Sequence, residues 1–348
     1  MKKIEIDNRF IGHAAQMYGV TPFEYTDGKA RGMRGLELCN GGGIRLVMLP
    51  DRGLDILKLE YKGVNLSYLS KGGISSPEFY IPDGYGFLKN FFVGFLTTCG
   101  LRHIGAPCRV EDEDFGLHGV ISNTPAEEVC ASTRSNMISV SGTVREAEIF
   151  KHNLLLRRSV EMPVGKDFFI IKNRIENIGY QKEQIMFMLH INFGYPFLSP
   201  HTEVVIPSVS VEPRDDEAAK GLTNHNIVTP PVAGYKERVF FHNLSGNDSA
   251  AGGLVYGTTA CSDSDNNVTA VIKNKELGFA VSLSFSKAAF PYLTQWNQFG
   301  CGDYVLGIEP SSCKMIGRRD AIEQGTADYL MPGEYKDFDV KVKLSEID

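Results

Sequence analysis

Apolar and polar positions alternate with a period of two along most of the chain, in short runs cut by Gly, Pro, Asn and Asp. The segment "GLELCNGGGIRLVMLPDRGLDILKLEYKGVNLSYL" (35–69) predicts consecutive strands joined by tight turns, with "CNGGG" as one of the turns. The same signature returns at 137–150, 153–163, 168–179, 183–194, 266–286, 304–310 and 334–347. Helical periodicity is weak: "TPAEEVCAS" (124–132) predicts a turn or two of helix, and "RFIGHAAQMYG" (9–19) another short piece. Many strands without interleaved helices predict an all-β fold, a large antiparallel sandwich with few short helices, spanning residues 1–348 as one unit.

Two polar stretches interrupt the pattern, 211–234 and 243–253. Long loops of this kind in a compact fold commonly rim a functional site.

Composition narrows the class. The chain has 348 residues, 43% hydrophobic and 22% charged, which is ordinary for a globular protein. A formal net charge of -6 with scattered Lys and Arg argues against nucleic acid as a partner, since that requires a basic stripe. Neither an export signal nor a transmembrane run is visible, so no membrane partner is expected. Seven cysteines without a CxxC pair suggest reduced thiols and a cytoplasmic setting, which makes the Asn-x-Ser/Thr matches at 65, 243, 247 and 267 incidental.

Four elements put polar groups where strands should be apolar. In "MLHINFGYPFL" (188–198), Phe187, Leu189, Ile191 and Phe193 share one face, while Met186, Met188, His190 and Asn192 share the other. In "YVLGIEPSS" (304–312), Glu309 shares a face with Val305 and Gly307, and Pro310 is expected to end the strand. "GLHGVISNTPAE" carries His118 in a turn, and "LTQWNQFG" (293–300) groups Gln295, Trp296 and Asn297.

Each feature alone has a plain structural explanation: a strand histidine is ordinarily a hydrogen-bonded, partly buried residue, and a lone Trp a core or rim aromatic. Together they suit carbohydrate chemistry, in which an acid and a base of different pKa move protons, an aromatic covers the sugar face and amides read hydroxyls. No HxH, HExxH or HxxEH appears, so no metal site is expected unless the fold assembles one from His118, His190 and Glu309. GxSxG, Walker and GxGxxG motifs are also missing.

"PDRGLDI", "TTCGL", "GLHGVISNTPAE", "LHINFGYP" and "GIEPSS", in that order, resemble the aldose 1-epimerase (galactose mutarotase) superfamily, and more closely a bacterial branch of aldose-epimerase-like proteins. The resemblance implies a β-supersandwich with a concave sugar site and no cofactor. It implies His190 as general acid at the ring oxygen, Glu309 as general base at the anomeric hydroxyl, and His118 as a substrate ligand. The pattern departs from the better-known mutarotases: Asn192 stands in the tyrosine slot of their HxYxN, and "TTCGLRHIGAP" lacks their GRxxNR element. Arg52 and Gln295, with Arg102 behind them, are the expected replacements, and a pocket arginine would suit a charged sugar. A non-catalytic carbohydrate-binding protein and a metal-dependent isomerase or lyase are the alternatives. The expected partner is a monosaccharide or modified sugar, with a homodimer as one option for the assembly.

Overall fold

A computed structural model describes residues 6–245 and 266–347. The larger part of the second polar stretch, 246–253, lies outside them. Two antiparallel sheets dominate. One has eleven strands, ten of them in the order Gly19–Glu24, Arg34–Cys39, Ile44–Leu49, Asp55–Tyr61, Leu96–Cys99, Met188–Gly194, Asp303–Ser311, Tyr292–Gly300, Arg238–Leu244 and Ser208–Pro213. The other has nine, built around Met137–Ala147, Asn153–Pro163, Phe168–Asn177, Val340–Glu346 and Phe279–Ser286.

The sheets pack face to face because the alternation gives each an apolar side. Ile56, Leu96, Leu189, Ile191 and Phe193 of the first sheet join Val140, Leu156, Val160, Ile171, Val342 and Leu283 of the second in one continuous buried cluster. Glycine-rich residues 40–43 form the expected turn between Arg34–Cys39 and Ile44–Leu49. Asn40 Oδ1 accepts from the Gly42 and Ile44 amides, and its Nδ2 donates to the Lys166 carbonyl at 2.7 Å, which ties this turn to the second sheet.

The helical expectation at 124–132 is corrected. Glu127–Arg134 is an edge strand of the second sheet, paired with Met137–Ala147 and interrupted by an irregularity between Glu127 and Cys130. Its neighbour offers a ladder of hydrogen bonds over Cys130–Arg134, which outweighs a weak local helical preference. Pro310 does not end its strand either, since Asp303–Ser311 continues through it and pairs Pro310 with Leu293. Among the described residues, helices are confined to Asp216–Ala219, Arg318–Glu323 and short 3-10 turns, and none is long and apolar enough to cross a membrane.

One buried ion pair bridges the two layers. Asp55 of the first sheet and Arg158 of the second are both fully buried, with Nη1 of Arg158 2.8 Å from Oδ1 of Asp55. Asp55 also accepts from the Thr98 amide and hydroxyl, and Arg158 donates to Asn173 Oδ1. Removing one partner leaves the other charge stranded in the core. Arg158→Ala is therefore expected to cost about 3–5 kcal/mol in chemical unfolding, and Asp55→Val/Arg158→Met together much less. Equal losses in the single and double variants would contradict this account of the pair.

Candidate active site

Strand Met188–Gly194 is buried along its whole length, on both faces. Its second face, with Met186 and Met188, packs into a smaller cluster with Cys99, Ile104, Cys313 and Ala321. Farther along that face stand His190 and Asn192. The register that pairs Met188 with Ser311 and Ile191 with Ile308 sets His190 level with Glu309 on the adjacent strand. On the far side, Thr294 pairs with Glu309 and Trp296 with Gly307, which brings the indole to the same face.

The carboxylate and imidazole meet there. His190 Nε2 lies 3.3 Å from Glu309 Oε1, with side chains 6% and 1% exposed, respectively. The contact is close enough for an ion pair but misaligned for a hydrogen bond, and Glu309 Oε1 has no hydrogen-bond partner among the described residues. Gly307 makes the space: a Cβ there would stand 2.5 Å from Glu309 Oε1 and 3.1 Å from the Trp296 Cβ.

Aromatic rings enclose the imidazole. Phe91 and Trp296 meet it edge-on at centroid distances of 5.3 and 5.4 Å, and His118 at 6.0 Å. His118 has φ +60° in a turn whose Gly119 packs on Gly100, where a Cβ would sit 2.5 Å from the Gly100 carbonyl oxygen. That turn is docked by the Gly100 amide on the His118 carbonyl and by the His118 amide on the Gly105 carbonyl. The His118 Nδ1 accepts from the Gly105 amide at 3.3 Å.

Desolvation sets the protonation states. It pushes Glu309 well above the usual carboxylate range, with the nearby Glu237 charge adding to the rise and Arg214 opposing it. It pulls His190 down to about 4, although its contact with Asn192 raises it. His118 is driven well below its ordinary value, first by desolvation and then by His190 and His103. His118 nevertheless keeps part of its surface open.

The excursion at 211–234 reaches this face. Arg214 Nη2 donates to Glu237 Oε1 at 2.9 Å, and the Trp296 indole N–H donates to Glu237 Oε2 at 2.9 Å. Arg214 also pairs with Asp215. The sequence reading missed Arg214, Glu237 and Phe91. The only signal for the first two was their place inside or beside a long polar excursion.

Several expected ligands have other partners. Arg52 is fully buried and donates to the Ser122, Ser75 and Asn90 carbonyls, so its guanidinium is committed to the backbone. Arg102 pairs with Glu113 and Glu183. Strand alternation separates Gln295 and Asn297 from Trp296, because they pair with Ile308 and Leu306 on the opposite face of the sheet. There Gln295 contacts His242, and both amides donate to the His225 carbonyl. Asn192 has partners of its own too, since its polar atoms contact His190 and Val93. His118, His190 and Glu309 do not converge as a metal cage. Among the described residues the group whose ligand atoms come within 4.8 Å of one another is Glu113, Glu148 and His152.

The fold is shared with aldose 1-epimerases and galactose mutarotase-like proteins. A putative aldose 1-epimerase from Klebsiella pneumoniae superposes with a TM-score of 0.85 at 23% identity, covering 96% of this chain and 86% of that one. A galactose mutarotase-like protein from Clostridium acetobutylicum gives 0.67 at 15% identity, with 94% and 99% covered. Galactose 1-epimerase from Lactobacillus acidophilus gives 0.62 at 14% identity, with 95% and 100% covered. No curated protein matches the sequence. A family model matches residues 30–344, and the chain thus belongs to the family described as "Domain of unknown function (DUF4432)".

Proposed function

We propose that this protein is an aldose 1-epimerase that interconverts the α and β anomers of an uncharged monosaccharide. The observation that carries the reading is the dry His190–Glu309 pair, set level on neighbouring strands and walled by Trp296, Phe91 and His118. Its aldose-epimerase fold supports the same chemistry.

Mutarotation needs one proton delivered and one removed. The pair is suited to hold a single shared proton, as imidazole plus carboxylic acid or as imidazolium plus carboxylate. Burial favours the first form, in which neither group is charged. Shifting the proton to His190 Nε2 gives the second form. His190 then protonates the ring oxygen while Glu309 takes the proton from the anomeric hydroxyl. The C1–O5 bond breaks, a C1 carbonyl forms, rotation about C1–C2 exposes its other face, and reclosure runs with the roles reversed. Only protons and one C–O bond move, so the reaction requires no cofactor.

The electrostatics favour an uncharged sugar. Arg52 and Arg102 are committed elsewhere, and Arg214 is flanked by Asp215 and Glu237. The Glu237 charge acts on Glu309 in the direction that repels an added anion.

Anomer exchange followed by NMR saturation transfer across neutral and phosphorylated sugars tests this reading. His190→Ala and Glu309→Gln are each expected to slow exchange by about 10²–10⁴-fold, with neutral sugars preferred. Wild-type rates in both variants would overturn the assignment, and tight binding without exchange would favour a carbohydrate-binding protein. In the wild-type enzyme kcat/KM is expected to fall on the acid side only near pH 4, where His190 takes a second proton, and on the alkaline side as Glu309 gives up the shared proton above the usual carboxylate range. An acid limb at the ordinary histidine value would contradict the desolvated site.

Stability carries the same signature. A carboxyl whose folded pKa is raised binds its proton more tightly when folded, so its contribution is full below the unfolded pKa and is lost as pH rises through the folded one. Glu309→Gln is expected to gain Tm relative to wild type as pH rises from 5 to 8, and a constant gap would argue against a raised Glu309.

A further inference from the structure

Asn192 faces His190 from two residues along the same strand. Its Oδ1 lies 2.6 Å from His190 Nδ1, while its Nδ2 donates to the His190 carbonyl at 2.8 Å and to the Val93 carbonyl at 3.3 Å. The orientation of an amide is set by its partners, and here they allow one choice. Turning the group over would aim Oδ1 at two carbonyl oxygens, neither of which can donate. With Nδ2 assigned to those carbonyls, the atom facing the ring is an acceptor, and Nδ1 must carry a hydrogen.

We propose that Asn192 is a positioning residue that locks His190 in the Nδ1–H tautomer, leaving Nε2 as the one ring atom that exchanges a proton with Glu309 and with substrate. This goes beyond the proposed acid–base pair and rests on it only for its catalytic consequence.

The surroundings agree. Nε2 is the atom turned toward Glu309, at 3.3 Å, and Glu309 Oε1 has no other partner among the described residues. A bare Nε2 can accept the proton of a neutral Glu309, whereas an Nε2–H tautomer would put its donor against a carboxyl that burial shifts toward its protonated form. The groups packed on the ring from other elements are Phe91, Trp296 and His118, and His118 is itself kept neutral by its surroundings. None of these rings makes a hydrogen bond to Nδ1 among the described residues; Asn192 Oδ1 is the side-chain acceptor that faces it, and the backbone of His190 itself favours a ring N–H as a smaller contribution. Thr97, opposite His190 on the neighbouring strand, donates its hydroxyl to the Val93 carbonyl. The site therefore differs from a His-Glu pair with a freely tautomerising imidazole: a fixed tautomer avoids reorganisation before each proton transfer.

The direct test is the ¹⁵N shift pattern of histidine-labelled protein near pH 7, with the His190 signals identified by their loss in His190→Ala. The wild type is expected to show a protonated Nδ1 and an unprotonated Nε2 at His190, and an Nε2–H pattern would overturn the proposal. This readout needs no activity, so it can fail while the epimerase reading stands, and stand while that reading fails. Asn192→Leu keeps the bulk but removes the acceptor. It is expected to mix or invert the tautomer and to lower kcat roughly 10-fold or more at nearly unchanged KM. Asn192→Asp restores an acceptor at Nδ1 but not the amide donors, and is expected to recover the Nδ1–H pattern and part of kcat. If Asn192 served only to hold the Val93 and His190 carbonyls, both variants would lose the same donors, act alike and leave the tautomer unchanged, which would refute the proposal.

Discussion

A strand buried on both faces needs something to cover its second face, and that constraint organises this molecule. Strand Met188–Gly194 gives Leu189, Ile191 and Phe193 to the sandwich core. Its other side must be roofed by segments that are not part of the opposing sheet. The stretch carrying Phe91, the turn carrying His118 and the excursion carrying Arg214 converge there. What they create is cover over an imidazole and a carboxylate, where both groups lose the solvation that would keep them charged.

The cost of that desolvation is compatible with folding because the sheets beneath are held rigidly. Thr98, whose amide and hydroxyl donate to Asp55, lies in the strand that pairs with Met188–Gly194. The Asp55–Arg158 pair therefore connects the interlayer core to the strand next to His190. Asn40 makes a second tie between the layers at the Gly42 turn. Such a base can carry strained or desolvated side chains that a mobile loop could not hold in register.

Much of this was legible in the sequence because a period of two is a strong signal. Alternation placed Met186, Met188, His190 and Asn192 on one face of their strand and Val305, Gly307 and Glu309 on one face of theirs, and the register sets these two faces side by side. The same rule, applied to "LTQWNQFG", separates Trp296 from Gln295 and Asn297, so grouping the three as one sugar-reading cluster contradicted the periodicity itself. Arg52 and Arg102 illustrate a different limit: a buried guanidinium bonded to backbone carbonyls and an arginine facing a pocket look identical in sequence, because their partners come from distant segments. Arg214 and Glu237 were invisible for the same reason, being joined to Trp296 only through the fold. The edge strand Glu127–Arg134 was misread because pairing with Met137–Ala147 overrides its local preference.

Burial pushes Glu309 up and His190 down, which favours a protonated carboxyl beside a neutral imidazole. Infrared difference spectroscopy of wild type against Glu309→Gln, in heavy water near pH 7, reads that state directly. The account predicts that the substitution removes a carbonyl band of a protonated carboxylic acid. Loss of an ionised carboxylate band instead, with the acid region unchanged, would contradict it.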